Sequence, residues 1–138
     1  MVLALALAAA GWTVLVSHES RSATAAWQNV RTVWDGVYTS AQAERGEAVF
    51  DRECTRCHEV SDFVGEDYMA TWEGQTLRDL YLYISSGMPP DLHEEITDFQ
   101  AYSDIVAYVL QANDFPPGRT DLSANLDRLN LIRIESRH

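Results

Sequence analysis

Five consecutive residues, Cys54-Thr55-Arg56-Cys57-His58, constrain this chain more than any other stretch. Two cysteines separated by two residues, with a histidine directly after the second, have the spacing of a c-type haem attachment site. Each side chain has its own task. The thiols of Cys54 and Cys57 add across the two porphyrin vinyl groups, whose separation the spacer matches, and the imidazole of His58 lies over the ring face as proximal iron ligand. Two other readings of the cysteines are weaker. A thioredoxin-like redox pair expects a βαβ pattern around it, and none is visible. A structural zinc site needs two further ligands at short spacing, yet there are no other cysteines, and His18, His93 and His138 are scattered.

A chain of 138 residues holds one domain of ordinary size, and its 46% apolar content is that of a globular protein. The net charge is −11, and all ten basic residues are arginine. That balance argues against nucleic acid and anionic membrane surfaces as partners, because both demand positive charge, and favours a partner with a basic docking patch. Residues 1–16 are almost wholly apolar and are followed by Ala23-Thr24-Ala25, an Ala-x-Ala cleavage pattern. Residues 1–25 therefore read as a secretory signal peptide, although the basic n-region is missing and the first arginine, Arg21, lies beyond the apolar run. The competing reading is an uncleaved membrane anchor, but the run falls short of the roughly 20 residues needed to span and is interrupted by Gly11 and Thr13. Either way the domain is expected outside the cytoplasm, in the periplasm, where covalent haem attachment takes place.

Residues 26–38 are expected to form an extended lead-in that lays aromatics on the domain surface, with Asp35-Gly36 as a turn and no part in a sheet. A first helix should begin at Thr39, whose hydroxyl caps the first turn while Gln42 reaches back in a capping box, and its far end delivers Cys54. Gly46 and Phe50 lie four apart on one face of it. A glycine inside a helix costs about 1 kcal/mol against alanine, so Gly46 implies another helix crossing closely, with Ile105 and Tyr108 as the partners of Gly46 and Phe50. Residues 59–74 look loop-like, with Phe63, Val64, Tyr68, Met69 and Trp72 as pocket wall. A second helix follows from about Thr76, carrying Leu77, Leu80, Tyr81 and Ile84 at helical spacing. Then comes Met88-Pro89-Pro90, where a thioether on a loop stiffened by two prolines can serve as the distal iron ligand. The last main helix spans about Asp98 to Gln111 with a broad apolar stripe. Pro116-Pro117-Gly118 breaks the chain, and residues 119–138 carry enough leucine and isoleucine to pack back on the domain. The main domain is thus residues 39–118. Paired acids such as Glu66-Asp67 and Glu94-Glu95 read as solvated surface.

Over residues 38 to 112 the chain resembles the class I c-type cytochromes, on Gly46 and Phe50, the Cys54–His58 motif, Met88-Pro89, and a closing helix ending in Asp104-Ile105-Val106-Ala107-Tyr108-Val109-Leu110. The resemblance implies an all-α fold in which three main helices pack round one covalently bound haem c. It also implies thioether attachment through Cys54 and Cys57, His58 as proximal ligand and Met88 as distal ligand. Many relatives place a proline soon after the histidine, whose carbonyl orients the imidazole; here no proline occurs between His58 and Met88, so another group must do that work. A narrower likeness, on residues 33–39, Leu80-Tyr81 and Asn113 with Phe115-Pro116-Pro117-Gly118, is to the small cytochromes associated with quinoprotein dehydrogenases that use pyrroloquinoline quinone.

Iron bound by His58 and Met88 has no open site, so the implied function is electron transfer and not enzyme catalysis. Its redox partners would be a dehydrogenase as donor, with a pyrroloquinoline quinone enzyme implied by the narrower likeness, and a terminal oxidase or another cytochrome as acceptor. A different class of function stays open beside it: a haem sensor or peroxidase-like enzyme whose distal position is vacant or labile. So does ligation by His93 in place of Met88, although His93 sits in an acidic stretch, Asp91-Leu92-His93-Glu94-Glu95.

Overall fold

A computed structural model describes residues 30–87 and 98–136. Met88, the two prolines after it, His93 and the apolar leader lie outside the described residues. The main elements are helices α1 (Ser40–Glu53), α2 (Glu66–Trp72), α3 (Leu77–Gly87), α4 (Phe99–Ala112) and the single turn α5 (Leu126–Leu129), with 3-10 turns at Val33–Asp35 and Val60–Phe63. Among the described residues the fold is all-α apart from two short strands, β1 (Arg31–Thr32) and β2 (Ile132–Arg133).

The fold turns on the crossing of α1 and α4. A Cβ placed on Gly46 would lie 1.9 Å from the Asp104 carbonyl oxygen and 3.0 Å from the Ile105 nitrogen, so two backbones meet where only glycine fits. One helical turn along, Phe50 and Tyr108 pack with ring centroids 5.5 Å apart. The partner of Gly46 is thus the Asp104–Ile105 peptide and not the Ile105 side chain, while Phe50 meets Tyr108 as expected. Because α4 is covered by α1, α3 and the chain after it, its residues 102–107 are all buried.

The start of α1 departs from the sequence reading. Thr39 does cap it, accepting from the Gln42 amide at 3.1 Å, but the Gln42 side chain does not reach back to complete a box. It is fully buried, donating to Asp104 Oδ1 and to the Leu122 carbonyl, each at 2.9 Å, and accepting from the Leu122 amide at 2.6 Å. Arg45 bonds Asp104 from the other side at 3.1 Å and reaches Asp121 at 2.6 Å. A glutamine in an apolar setting is held by such saturation of its polar atoms, and the network ties the crossing to the segment beyond it.

Two more corrections concern the flanks. Residues 66–72 form a helix and not a loop, since Gly65 at φ 90° supplies the turn from which α2 starts. The lead-in does join a sheet: β1 pairs in parallel with β2, Arg31 opposite Ile132 and Thr32 opposite Arg133. Further on, Trp34 Nε1 donates to the Glu135 carbonyl at 2.9 Å, and Ile134 exchanges backbone bonds with Gly74 and Gln75. The signal was hard to see because each strand has two residues and no partner nearby in sequence. Leu122, Leu129, Ile132 and Ile134 are buried there, each contributing roughly 1.5–3 kcal/mol of transfer free energy, so residues 119–136 are part of the core. Gly36, at φ 60°, and Gly118 are a second backbone contact, where a Cβ on Gly118 would lie 1.9 Å from the Gly36 oxygen.

Replacing Gly46 by alanine should cost about 3 kcal/mol or more, because rigid backbone on both helices must separate to admit a methyl group. Urea unfolding of the Gly46→Ala protein is expected to show a correspondingly lower midpoint, and an unchanged midpoint would mean that the helices do not cross at this distance.

Candidate haem site

Helix α1 ends where the motif begins. Cys54 is its C-cap, with its amide bonded to the Phe50 carbonyl at 2.8 Å. The amides of Cys57 and His58 both donate to the Cys54 carbonyl, at 3.1 and 3.0 Å, so the motif coils as one further turn. Thr55 reinforces that turn through its hydroxyl, which donates to the Asp51 carbonyl at 2.6 Å. All three predicted side chains are therefore presented from a single turn fixed to the end of the crossing helix. No disulfide joins the two cysteines; Cys54 is half-buried and Cys57 exposed. Burial, with the charge of Glu53 adding to it, pushes the Cys54 thiol up to about 11. At neutral pH it is a protonated, weakly nucleophilic thiol.

The imidazole of His58 meets Phe63 edge-on, centroids 5.3 Å apart, and Phe63 meets Phe50 at 5.6 Å and Tyr68 at 5.8 Å. Tyr68 continues to Trp72 at 6.3 Å, and Trp72 to Tyr83 of α3 at 5.4 Å. This aromatic wall joins the motif to α1, α2 and α3. Phe63, Tyr68 and Trp72 thus lie together in one aromatic row beside the motif. Val64 and Met69 line instead an open cleft of about 810 Å³ with Trp34, Asp114 and Phe115, whose lining includes neither His58 nor either cysteine.

Two polar atoms in the wall, the Tyr68 hydroxyl and Trp72 Nε1, are buried with no hydrogen-bond partner beyond their loose approach to each other. The indole N–H can at best be met by the phenol oxygen, which leaves the Tyr68 O–H over; a buried donor left unmet costs about 1–3 kcal/mol, which an accepting ligand would relieve. A porphyrin supplies what is missing: apolar faces for the aromatic wall, vinyl groups for the thiols, iron for the imidazole and carboxylates for the two donors. Burial keeps the Tyr68 hydroxyl protonated well above the ordinary tyrosine range, and so a donor at any physiological pH. The residues present fit a haem. They do not make a metal site of their own: among the described residues no group of three or more His, Cys, Asp or Glu side chains comes together.

Sequence reasoning marked Asn113 only as a point of likeness and did not foresee its role at the wall. Its Nδ2 donates to the Phe63 carbonyl at 2.8 Å and its Oδ1 accepts from the Gly65 amide at 3.1 Å, clamping the wall segment onto the end of α4. A side-chain amide ending a helix just ahead of a proline pair was the available signal.

The thiol ionisation gives a test on the unmodified protein. Its sign is that of a group raised on folding: as pH rises toward 11, the Cys54 thiolate appears and its alkylation accelerates about tenfold per unit. At pH 8, exposed Cys57 should therefore be carboxymethylated first, with Cys54 following only in stronger alkali, as read by peptide mass mapping. Equal rates at pH 8 would contradict the burial of Cys54.

A family model described as cytochrome C oxidase, cbb3-type, subunit III matches residues 41–109, half of the chain. No curated protein and no solved structure matches it. The matched span runs from the start of α1 through the attachment motif and most of α4, so it holds the crossing and the cysteines together. Nothing in the comparisons bears out the narrower likeness to cytochromes of quinoprotein dehydrogenases. The chain belongs to the family of the cbb3-type cytochrome c oxidase subunit III and is a class I c-type cytochrome, a haem-binding electron-transfer protein.

Proposed function

We propose that this cytochrome is an exported, periplasmic electron carrier with one covalently attached haem, bound through Cys54 and Cys57 and ligated by His58 and Met88. The observation that carries the reading is the placement of Cys54, Cys57 and His58 on one turn fixed to α1, beside an aromatic wall that buries two polar donors. When bound, the haem supplies a one-electron ferrous–ferric couple, and methionine ligation favours the ferrous form. The chain's own residues hold it. The thioethers would fix the ring, His58 would orient it, Tyr68 and Trp72 would donate to its propionates, and Phe50 and Phe63 would keep water from its face. Two firm axial ligands leave no coordination position for a substrate, so Met88 decides between a carrier and a catalyst.

The donor is proposed to be a dehydrogenase, with a quinoprotein enzyme the first to test on the likeness of residues 33–39 and 113–118, and the acceptor a terminal oxidase or another cytochrome. The net charge of −11 supports a basic docking surface on the partner. Such encounters are small and weak, and their speed depends on long-range attraction.

Two measurements test this. The reduced protein should show a c-type absorption spectrum unchanged by carbon monoxide, whereas Met88→Ala should bind carbon monoxide; binding by the unaltered protein would point instead to a labile distal site. Electron transfer with a basic partner should slow by about tenfold or more between low and physiological ionic strength, as charge steering is screened. A rate independent of salt would exclude the acidic surface from docking.

A further inference from the structure

Resting on the haem-carrier reading, we infer that the carboxylate of Asp62 is the group that holds the Nδ1 side of the His58 imidazole and thereby tunes the iron. Asp62 Oδ2 stands 3.6 Å from His58 Nδ1. Among the described residues it is the polar group recorded at that ring, and no backbone carbonyl bonds the imidazole there. The local backbone places the carboxylate. The 3-10 turn Val60–Phe63 sets Asp62 four residues past the histidine, its amide donating to the Glu59 carbonyl and its Oδ2 accepting from the Glu59 amide, each at 3.0 Å. A carboxylate oxygen has lone pairs for a second donor, so the Glu59 amide does not exhaust it. The next residue, Phe63, braces the same imidazole edge-on at 5.3 Å. Closing the contact to the 2.7–2.9 Å of a charge-assisted bond needs a movement of under about 1 Å, which a rotation of the imidazole provides.

The choice of acceptor matters because Nδ1 and Nε2 share one aromatic system. With Nε2 on iron, Nδ1 must carry the proton, and an ionised acceptor draws on that proton more strongly than a neutral carbonyl does. The imidazole becomes a better electron donor and the ferric state gains most. Asp62 is a positioning residue: it touches neither iron nor porphyrin, and acts through His58. Its charge makes this carrier lower in potential than the same haem would be with a neutral acceptor at Nδ1.

The test uses the mature haem protein and its Asp62→Asn variant, which keeps an oxygen for the Glu59 amide and removes the charge. At a fixed ambient potential the ratio of ferrous to ferric protein should rise about tenfold in the variant, equivalent to about 59 mV for one electron. Glu59→Gln removes a charge next to the histidine and serves as the control; its shift should be clearly smaller. An Asp62→Asn potential that is unchanged, or that moves only as far as the control, would overturn the inference while leaving the c-type spectrum and the carrier reading intact. A wild-type protein lacking covalent haem would overturn both. Should the variant fail to mature, nitrogen-15 resonances of the ferrous wild type decide: an Nδ1 signal displaced toward imidazolate supports the contact, and one typical of a solvent-bonded imidazole overturns it.

Discussion

Where α1 crosses α4 the backbones touch, Gly46 against the carbonyl of Asp104, and the position of every other element follows from that contact. It sets the line of α1, and the end of α1 sets Cys54. One turn from the crossing, Phe50 begins the aromatic chain that reaches His58 through Phe63. The contact also gives Gln42, Arg45 and Asp104 a reason to be where they are. Gln42 and Asp104 are buried beside the crossing and are satisfied by one another, by the half-exposed Arg45 and by the backbone of Leu122. Rigid packing at one end of the molecule thus fixes a reactive turn at the other.

The flanking segments do a related job from outside. The pairing of residues 31–32 with 132–133, the contact of Gly36 with Gly118 and the bond of the Tyr38 hydroxyl to the Phe115 carbonyl at 2.5 Å wrap the helices in a belt. Asn113 carries that bracing to the wall segment.

The sequence made α1, α3 and α4 legible because each carries its own periodic signal, and Thr39 and Asp98 open α1 and α4 at about the positions expected. Gly46 was legible for a stronger reason, since an interior glycine is a cost that only a close approach offsets. The attachment motif was legible because its chemistry is local, five residues in a row. What stayed hidden was everything that joins distant positions without periodicity. Gln42 looked like a capping residue because its spacing from Thr39 allows that, and the buried acceptors that claim it lie on residues 104 and 122. The two-residue strands gave no alternation to read, and α2 was obscured by the glycines and acids at its ends. Asp62 had a visible clue in its four-residue spacing from His58, but only the 3-10 turn turns that spacing into proximity.

The central claim is that Cys54 and Cys57 hold a haem covalently. Intact-mass spectrometry of the purified protein, after denaturation and acid–acetone extraction, tests it most directly. The account predicts a mass higher by one haem, retained through extraction, with neither cysteine open to alkylation. A protein of unmodified mass whose two thiols both alkylate, expressed alongside a working haem-attachment system, would contradict it.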